Sequence, residues 1–333
     1  MILLNNNMLN KQIHYSNQQL QSWVDGLIYK GKTVIGPVKK NGVTCFSEIK
    51  NFNELILNER TVYSAKEVVL PKYDILFKFA KEKDKVFISK NENSLNNVIV
   101  IGLRPCDNEG FDYLRLFFKS DPDILQKLNT FISVTIACEK KFDGCFCEEL
   151  GIDKNYSNKT DVLIKTSENG YDIYFNDRGN EILSPQASDV KPAEIKKPVP
   201  NVSIDNKVAY LKKLSEQYNS EKWKIVSMGC LGCGSCAFVC PTCTCFDVQD
   251  EGNTQNGQRL ICWDACGMGL FTKHASGHNP RPSQVERRRH RIMHKFVYTQ
   301  DTEGKISCVG CGRCIAACPA HLNIYNQALQ ILQ

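Results

Sequence analysis

Two stretches of the chain carry cysteines at the spacing C-x2-C-x2-C-x3-C-P. They are Cys230, Cys233, Cys236 and Cys240-Pro241, and Cys308, Cys311, Cys314 and Cys318-Pro319. Three thiolates two residues apart can wrap one corner of a cubane iron–sulfur cluster, and the tight loop between them offers amides to its sulfides. The fourth cysteine lies one turn on and points elsewhere. In two-cluster ferredoxins it serves the other cluster, which here would pair Cys318 with the first motif and Cys240 with the second. Zinc is the competing occupant, but zinc sites favour paired C-x2-C knuckles over full quartets ending in proline. Sixty-seven residues separate Cys240 from Cys308, a long insertion for a compact ferredoxin.

Four more cysteines are expected to meet through topology. The apolar runs 97–103 (NVIVIGL) and 131–137 (FISVTIA) have the character of strands buried on both faces. Helical periodicity in 107–118 and 124–128 makes them a strand-helix-strand unit. Its two strands are then parallel, so Cys106 and Cys138 leave the same sheet edge, where open sheets place ligands. Cys145 and Cys147 in KKFDGCFC can reach that edge, completing a third four-thiolate set. Cys45 falls in an apolar strand as a core residue.

The first motif is overfull, with six cysteines in the sixteen residues 230–245. Cys243 and Cys245, with Cys262 and Cys266, make a formal fourth quartet. Swapped ligation and plain structural thiols remain open for these four. The pairs His274/His278 and His290/His294 have helical i,i+4 spacing but no third ligand, which favours structural roles. Residues 26–33, GLIYKGKT, match a phosphate-loop pattern in the wrong context: a helix (16–30) precedes and a strand (TVIGPV) follows. No dinucleotide fingerprint or partnered nucleophile is present, so the chain is expected to lack its own flavin, nicotinamide or substrate chemistry.

The frame for these residues is a chain of 333 residues with 42% hydrophobic and 23% charged residues, enough for two domains. Of its 17 cysteines, twelve lie in 230–318 at short gaps, which points to metal ligation in a reducing cytoplasm and away from a secreted disulfide scaffold. No apolar run approaches a membrane span of about 20 residues, and no signal peptide is visible. The formal charge of +6 and the run Arg287 to Arg291 suggest nucleic acid, yet three anionic clusters would bring the holoprotein to near neutrality. The expected fold is an α/β (α+β) amino-terminal domain with a buried, partly parallel sheet over 1–200, a hairpin over 162–175 and a proline-rich linker at 184–200. A ferredoxin-like dicluster domain follows over 201–333.

Over nearly its whole length the chain resembles a family of iron–sulfur electron-transfer proteins, found in anaerobic sulfite reductases and as the beta chain of sulfhydrogenases. The likeness rests on CLGCGSCAFVCPTCTCFDVQD, CWDAC, ASGHNPRP, ERRRHRIMHKF and CVGCGRCIAACPA. It continues through GPVKKNG, RTVYSAKEVVLP, GLRPCDNEGFDYL and CEKKFDGCFCEELG. The resemblance implies two ferredoxin-type 4Fe-4S clusters on the eight motif cysteines and cysteines at the positions of Cys106, Cys138, Cys145 and Cys147. It implies none at Cys262. It also implies a non-catalytic electron-transfer subunit of a cytoplasmic, anaerobic hetero-oligomer, with a flavin/NAD(P)H subunit on one side and a catalytic subunit of the sulfite reductase or hydrogenase type on the other. Similar subunits serve flavin oxidoreductase–heterodisulfide reductase complexes. Basic groups such as Arg281, Arg287, Arg288 and Lys295 are expected to tune the clusters.

Overall fold

The computed structural model describes residues 8–90, 95–185, 188–193 and 204–333. Its strands, in chain order, are β1 (Lys11–Tyr15), β2 (Thr33–Lys40), β3 (Val43–Glu48), β4 (Tyr73–Glu82), β5 (Lys85–Lys90) and β6 (Val98–Leu103). They continue with β7 (Ile132–Ile136), β8 (Val162–Ser167), β9 (Gly170–Phe175), β10 (Lys191–Pro192), β11 (Phe246–Gly252) and β12 (Asn256–Trp263).

The chain divides into two compact units: one of residues 1–65, 95–204 and 309–312, the other of 66–94, 205–308 and 313–333. This differs from a single cut near residue 200. The segment 66–94 goes with the second unit because β4 finds its hydrogen-bonding partner in β12, nearly two hundred residues on. Most of the proline-rich linker, including Pro198 and Pro200, lies outside the described residues.

The first unit is built on an eight-stranded sheet in the order β10-β1-β9-β8-β7-β6-β2-β3. Its centre is parallel, through the β2/β6, β6/β7 and β7/β8 pairs, and its flanks are antiparallel. The central strands carry the unbroken apolar runs that burial on both faces requires. Ile99, Val100, Ile101, Val134, Val162 and Leu163 are all essentially inaccessible. Helix Asn17–Tyr29 is started by a capping box between Ser16 and Gln19 and buries Leu20, Trp23, Val24 and Leu27. Its position ahead of β2 disposes of the phosphate-loop match, since Gly26 lies inside the helix. Cys45, on β3, packs against the main core.

Two helices join β6 to β7. Pro105–Phe117 starts with proline in its first turn and places Cys106 there, and Pro122–Thr130 is capped by Asp121. The connection therefore delivers Cys106 after β6 and Cys138 after β7, at the same end of two parallel strands.

The second unit holds a four-stranded antiparallel sheet, β11-β12-β4-β5, and a set of helices around the motif cysteines. Helix Gln284–Met293 has a Ser283/Glu286 capping box and runs on through a π segment, His294–Tyr298. Helix Ile324–Leu332 is capped by Asn323 and buries Ile324, Tyr325, Ala328 and Ile331. Arg288, Arg291 and Lys295 follow at i, i+3 and i+7, so one helical face carries three buried cations. Among the described residues no helix is long and apolar enough to cross a membrane.

Candidate functional site

In the second unit, Cys230, Cys233, Cys236 and Cys318 line one cavity, together with Cys314, Gln284, Arg287, Arg288 and Arg291. Cys318 and Cys314 of the second motif thus both lie beside the first motif's cysteines around this cavity. The side chains around it aim donors at sulfur. The Gln284 amide donates to Cys230 Sγ at 3.2 Å, and Gln284 is itself oriented by Arg287, whose Nε and Nη2 donate to Gln284 Oε1 at 3.1 and 2.9 Å. Cys233 and the Ser235 hydroxyl are hydrogen-bonded at 3.4 Å, and this bond, with backbone amides, holds the exposed Cys233 thiol below its ordinary range. Arg291 donates to the Cys236 carbonyl, while Arg288 is held on Gln327. Burial pushes the Cys236 thiol up, and Arg291 and Arg288 oppose it.

The glycines of the motif are conformational requirements. Gly234 sits at φ 76°, and a Cβ there would come within 2.8 Å of Ala265 and Met268.

In the first unit, Cys106, Cys138, Cys145 and Cys147 line a second cavity with Arg60, Arg104, Lys141, Phe142 and Lys154. Cys106 stands in the first turn of the helix after β6, and the other three lie in the connection after β7, so the parallel strand-helix-strand topology brings Cys106 and Cys138 to one end. Both arginines face the Phe142 ring, at 5.7 and 5.2 Å from its centroid. Arg104 is anchored by the carbonyls of Leu57, Glu59 and Ala137. The thiols here are starved of water: burial raises Cys138 against the pull of Arg104, and burial with the neighbouring Cys145 pushes Cys147 up to about 12.

This cavity has an element that the sequence did not disclose. The loop 309–312, inside the second cysteine motif, packs in the first unit. Arg60 Nη1 donates both to Cys145 Sγ at 3.1 Å and to the Cys311 carbonyl at 2.6 Å, and the Cys145 sulfur lies 3.2 Å from that carbonyl. Phe146 N–H donates to the Gly310 carbonyl at 2.8 Å. Gly310 has φ 60°, and a Cβ on it would lie 2.6 Å from the backbone of Cys147. Cys106 and Cys311 share one small buried cluster with Val309.

Cys308, Cys314 and Cys240 belong to the second unit. Cys240 is hydrogen-bonded with the Thr242 hydroxyl at 3.3 Å. Burial opposes its ionisation, but Lys295 and Arg291 hold its thiol below the ordinary value. Close by, Cys245 is hydrogen-bonded with both Cys243 and Cys266. Cys262 needs separating from them. It lies on β12 with its sulfur 4.0 Å from the Asp247 carbonyl, and the charges acting on it are Asp247, Asp264 and Glu251. Strand alternation accounts for the difference, because Cys266 lies beyond the end of β12 and is free to turn inward.

Among the described residues no three His, Cys, Asp or Glu side chains converge as ligands of a single ion. A tetrahedral zinc draws its sulfurs onto one atom at about 2.3 Å. Thiols spread around a cavity suit a polynuclear core, and the donor sets of both cavities fit a four-iron cluster. His290 and His294 stack at 5.7 Å, and burial lowers them to about 4 and about 3, so both are neutral packing groups near pH 7.

Residues 229–322 match the 4Fe-4S dicluster domain. The chain is 29% identical over 307 residues to Sulfhydrogenase 2 subunit beta of Pyrococcus furiosus, covering 87% of this chain and 89% of the relative. The resemblance to iron–sulfur beta subunits holds. No solved structure matches the chain. The dicluster match falls on the cysteine motifs and supports 4Fe-4S clusters there. The relative spans the amino-terminal unit as well, so the likeness extends well beyond a ferredoxin module.

Proposed function

We propose that this protein is the electron-relay subunit of a multisubunit oxidoreductase, linking a flavin/NAD(P)H subunit to a catalytic subunit of the hydrogenase or sulfite reductase type. The observation that carries the reading is the junction at Arg60, where one guanidinium holds a third-site sulfur, Cys145, and the Cys311 carbonyl of the second motif. Both contacts lie within the first unit, and a guanidinium shared by a third-site sulfur and the Cys311 loop supports a relay reading. The relative's name, a sulfhydrogenase beta subunit, favours the hydrogenase type.

Cys230, Cys233, Cys236 and Cys318 would hold one 4Fe-4S cluster, Cys308, Cys311 and Cys314 with Cys240 the second, and Cys106, Cys138, Cys145 and Cys147 the third. Such clusters supply one-electron transfer at potentials set by charge, hydrogen bonds and exposure. The chain's own part is to ligate, to keep water from the third site, and to aim Gln284, Arg60 and Arg104 at sulfur or at its loops. Turnover chemistry belongs to the partners.

Anaerobic purification with iron, sulfide and flavin analysis tests the reading. The expected outcome is at least about twelve irons per chain, no flavin, and reduction by dithionite without hydrogen or sulfite turnover in the isolated subunit. Flavin bound to the lone chain, or turnover by it, would sink the proposal.

A further inference from the structure

The most exposed aliphatic side chains among the described residues are Met228, Leu270 and Leu231, at 80%, 75% and 73%. All three belong to segments that border the Cys230 cavity. Leu231 lines it from within the first cysteine motif, and Met228 lies next to Gly229, which also lines it. Leu270 stands in the loop whose Gly267 lines the same cavity. A third segment closes the ring, because Pro319 and Ala320 line the cavity and are exposed. The three stretches touch: a Cβ on Gly229 would lie 3.7 Å from Ala320, and one on Gly232 would lie 3.3 Å from the Gly267 carbonyl. Inside this collar sits Cys233, whose thiol is exposed whereas the other cysteines are buried or half-buried.

The collar is uncharged. Residues 225–246, 265–272 and 314–333 contain no Asp, Glu, Lys or Arg, in a chain where such residues make up 23%. The cavity's cations stand on helix Gln284–Met293, where Arg288 and Arg291 are buried. Contiguous exposed apolar surface marks a contact site. A partner face that carried charge would lose its hydration against groups unable to pair with it, so the complementary surface is itself uncharged and apolar. β5 makes the contrast: Val86, Phe87 and Ile88 are exposed too, but Lys85 and Lys90 bracket them, as suits an edge strand kept from pairing, and they line neither cavity. A second copy of this chain is the poorer occupant. A symmetric contact would set two identical cavities mouth to mouth and leave an electron no onward route.

We propose that this collar is the docking face for a redox-carrying partner subunit, which covers Cys233 with an uncharged apolar patch and exchanges electrons with the cluster held there. The partner's centre is a flavin or an iron–sulfur cluster, both of which handle single electrons. One electron crosses at a time and no bond is made or broken: the donor centre is oxidised and the acceptor reduced. The inference rests on the relay reading, and adds to it where one partner sits and that apolar burial, in place of ion pairing, holds it.

The test uses the complex isolated anaerobically from the producing cells through a tag on this chain, with hydrogen exchange compared between the complex and the lone holoprotein. Residues 228–233 and 267–270 should gain protection in the complex, and the complex should survive about 1 M salt, which screens surface ion pairs. M228K/L270K leaves every cavity-lining residue in place. It should hold a cofactor-bearing subunit at least about tenfold more weakly, while keeping its reduced-cluster signals and its reduction by dithionite. An unprotected collar in the wild-type complex overturns the inference whether or not the variant folds. So do dissociation of the wild-type complex in that salt, a folded variant that keeps all its subunits, and a collar covered by a second copy. Binding of wild type, but not of the variant, to phosphatidylcholine vesicles would overturn it as well. In each of these cases the relay reading stands. Absence of every cluster signal from wild type would instead defeat the relay reading, and this inference with it.

Discussion

The two cavities both gather candidate ligand cysteines but prepare them in opposite ways. Around Cys230, Cys233, Cys236 and Cys318 the helix Gln284–Met293 supplies donors and cations, and Cys233 is exposed and held below its ordinary pKa. Around Cys106, Cys138, Cys145 and Cys147 burial dominates, and Cys147 is pushed up to about 12. A thiol suppressed by burial gives up its proton only when iron replaces it. The first set is therefore poised to load, whereas the second depends on Arg60 and Arg104 for its charge balance.

The contrast breaks most completely at the ligands. Cys318→Ser should remove about four irons and one reduced-cluster signal while leaving the third-site signal, measured by iron analysis and spectroscopy on the same sample. Loss of both signals would show that the two cavities do not load independently.

Gly310→Ala comes next. Its Cβ would sit 2.6 Å from Cys147 Cα and N at a positive φ, a conformation that costs an L residue about 1–2 kcal/mol before the clash is counted. The expected result is loss of the third-site cluster and a lower melting temperature, with the Cys230 cavity still loaded.

Arg60→Met removes the donor shared by Cys145 and Cys311. A hydrogen bond to a charged group contributes about 1.5–3 kcal/mol, so the third cluster should bind less tightly and shift to a lower midpoint potential. An unchanged potential would mean that Arg60 only closes the loop.

The smallest effect is in pH. His290 and His294 have folded pKa values of about 4 and about 3, below the unfolded value of about 6.5. The unfolded chain thus binds protons that the folded one refuses. Stability conferred by the neutral rings is full above about pH 6.5 and is lost progressively as pH falls toward the folded values. H290Q/H294Q should flatten that slope in acid-unfolding curves of the protein, and an unaltered slope would place the acid sensitivity elsewhere.

Local patterns told much of this in advance. The run NVIVIGL had to be a buried strand, the hairpin over 162–175 formed with its turn at Glu168-Asn169, and the strand-helix-strand unit had to bring Cys106 and Cys138 to one edge. What stayed hidden is non-local. The strand YDILFKFAKE gives no sign that its partner is β12. Arg60 lies 85 residues from Cys145 and 251 from Cys311, and nothing in its neighbourhood marks it. Lys66 is one lysine among many until burial singles it out. Cys262 was misleading because i,i+4 spacing suggests a helix, and the chain there is leaving a strand.

The cations that line these sites also tie the molecule's charge to its occupancy. Among the described residues Lys66, Arg104, Arg288, Arg291, Lys295 and Arg313 are buried, against only Asp107 and Asp161. Burial does not hide such charge from a distance, so anionic clusters held beside these cations would lower the positive field that a docking protein meets, and their loss would raise it.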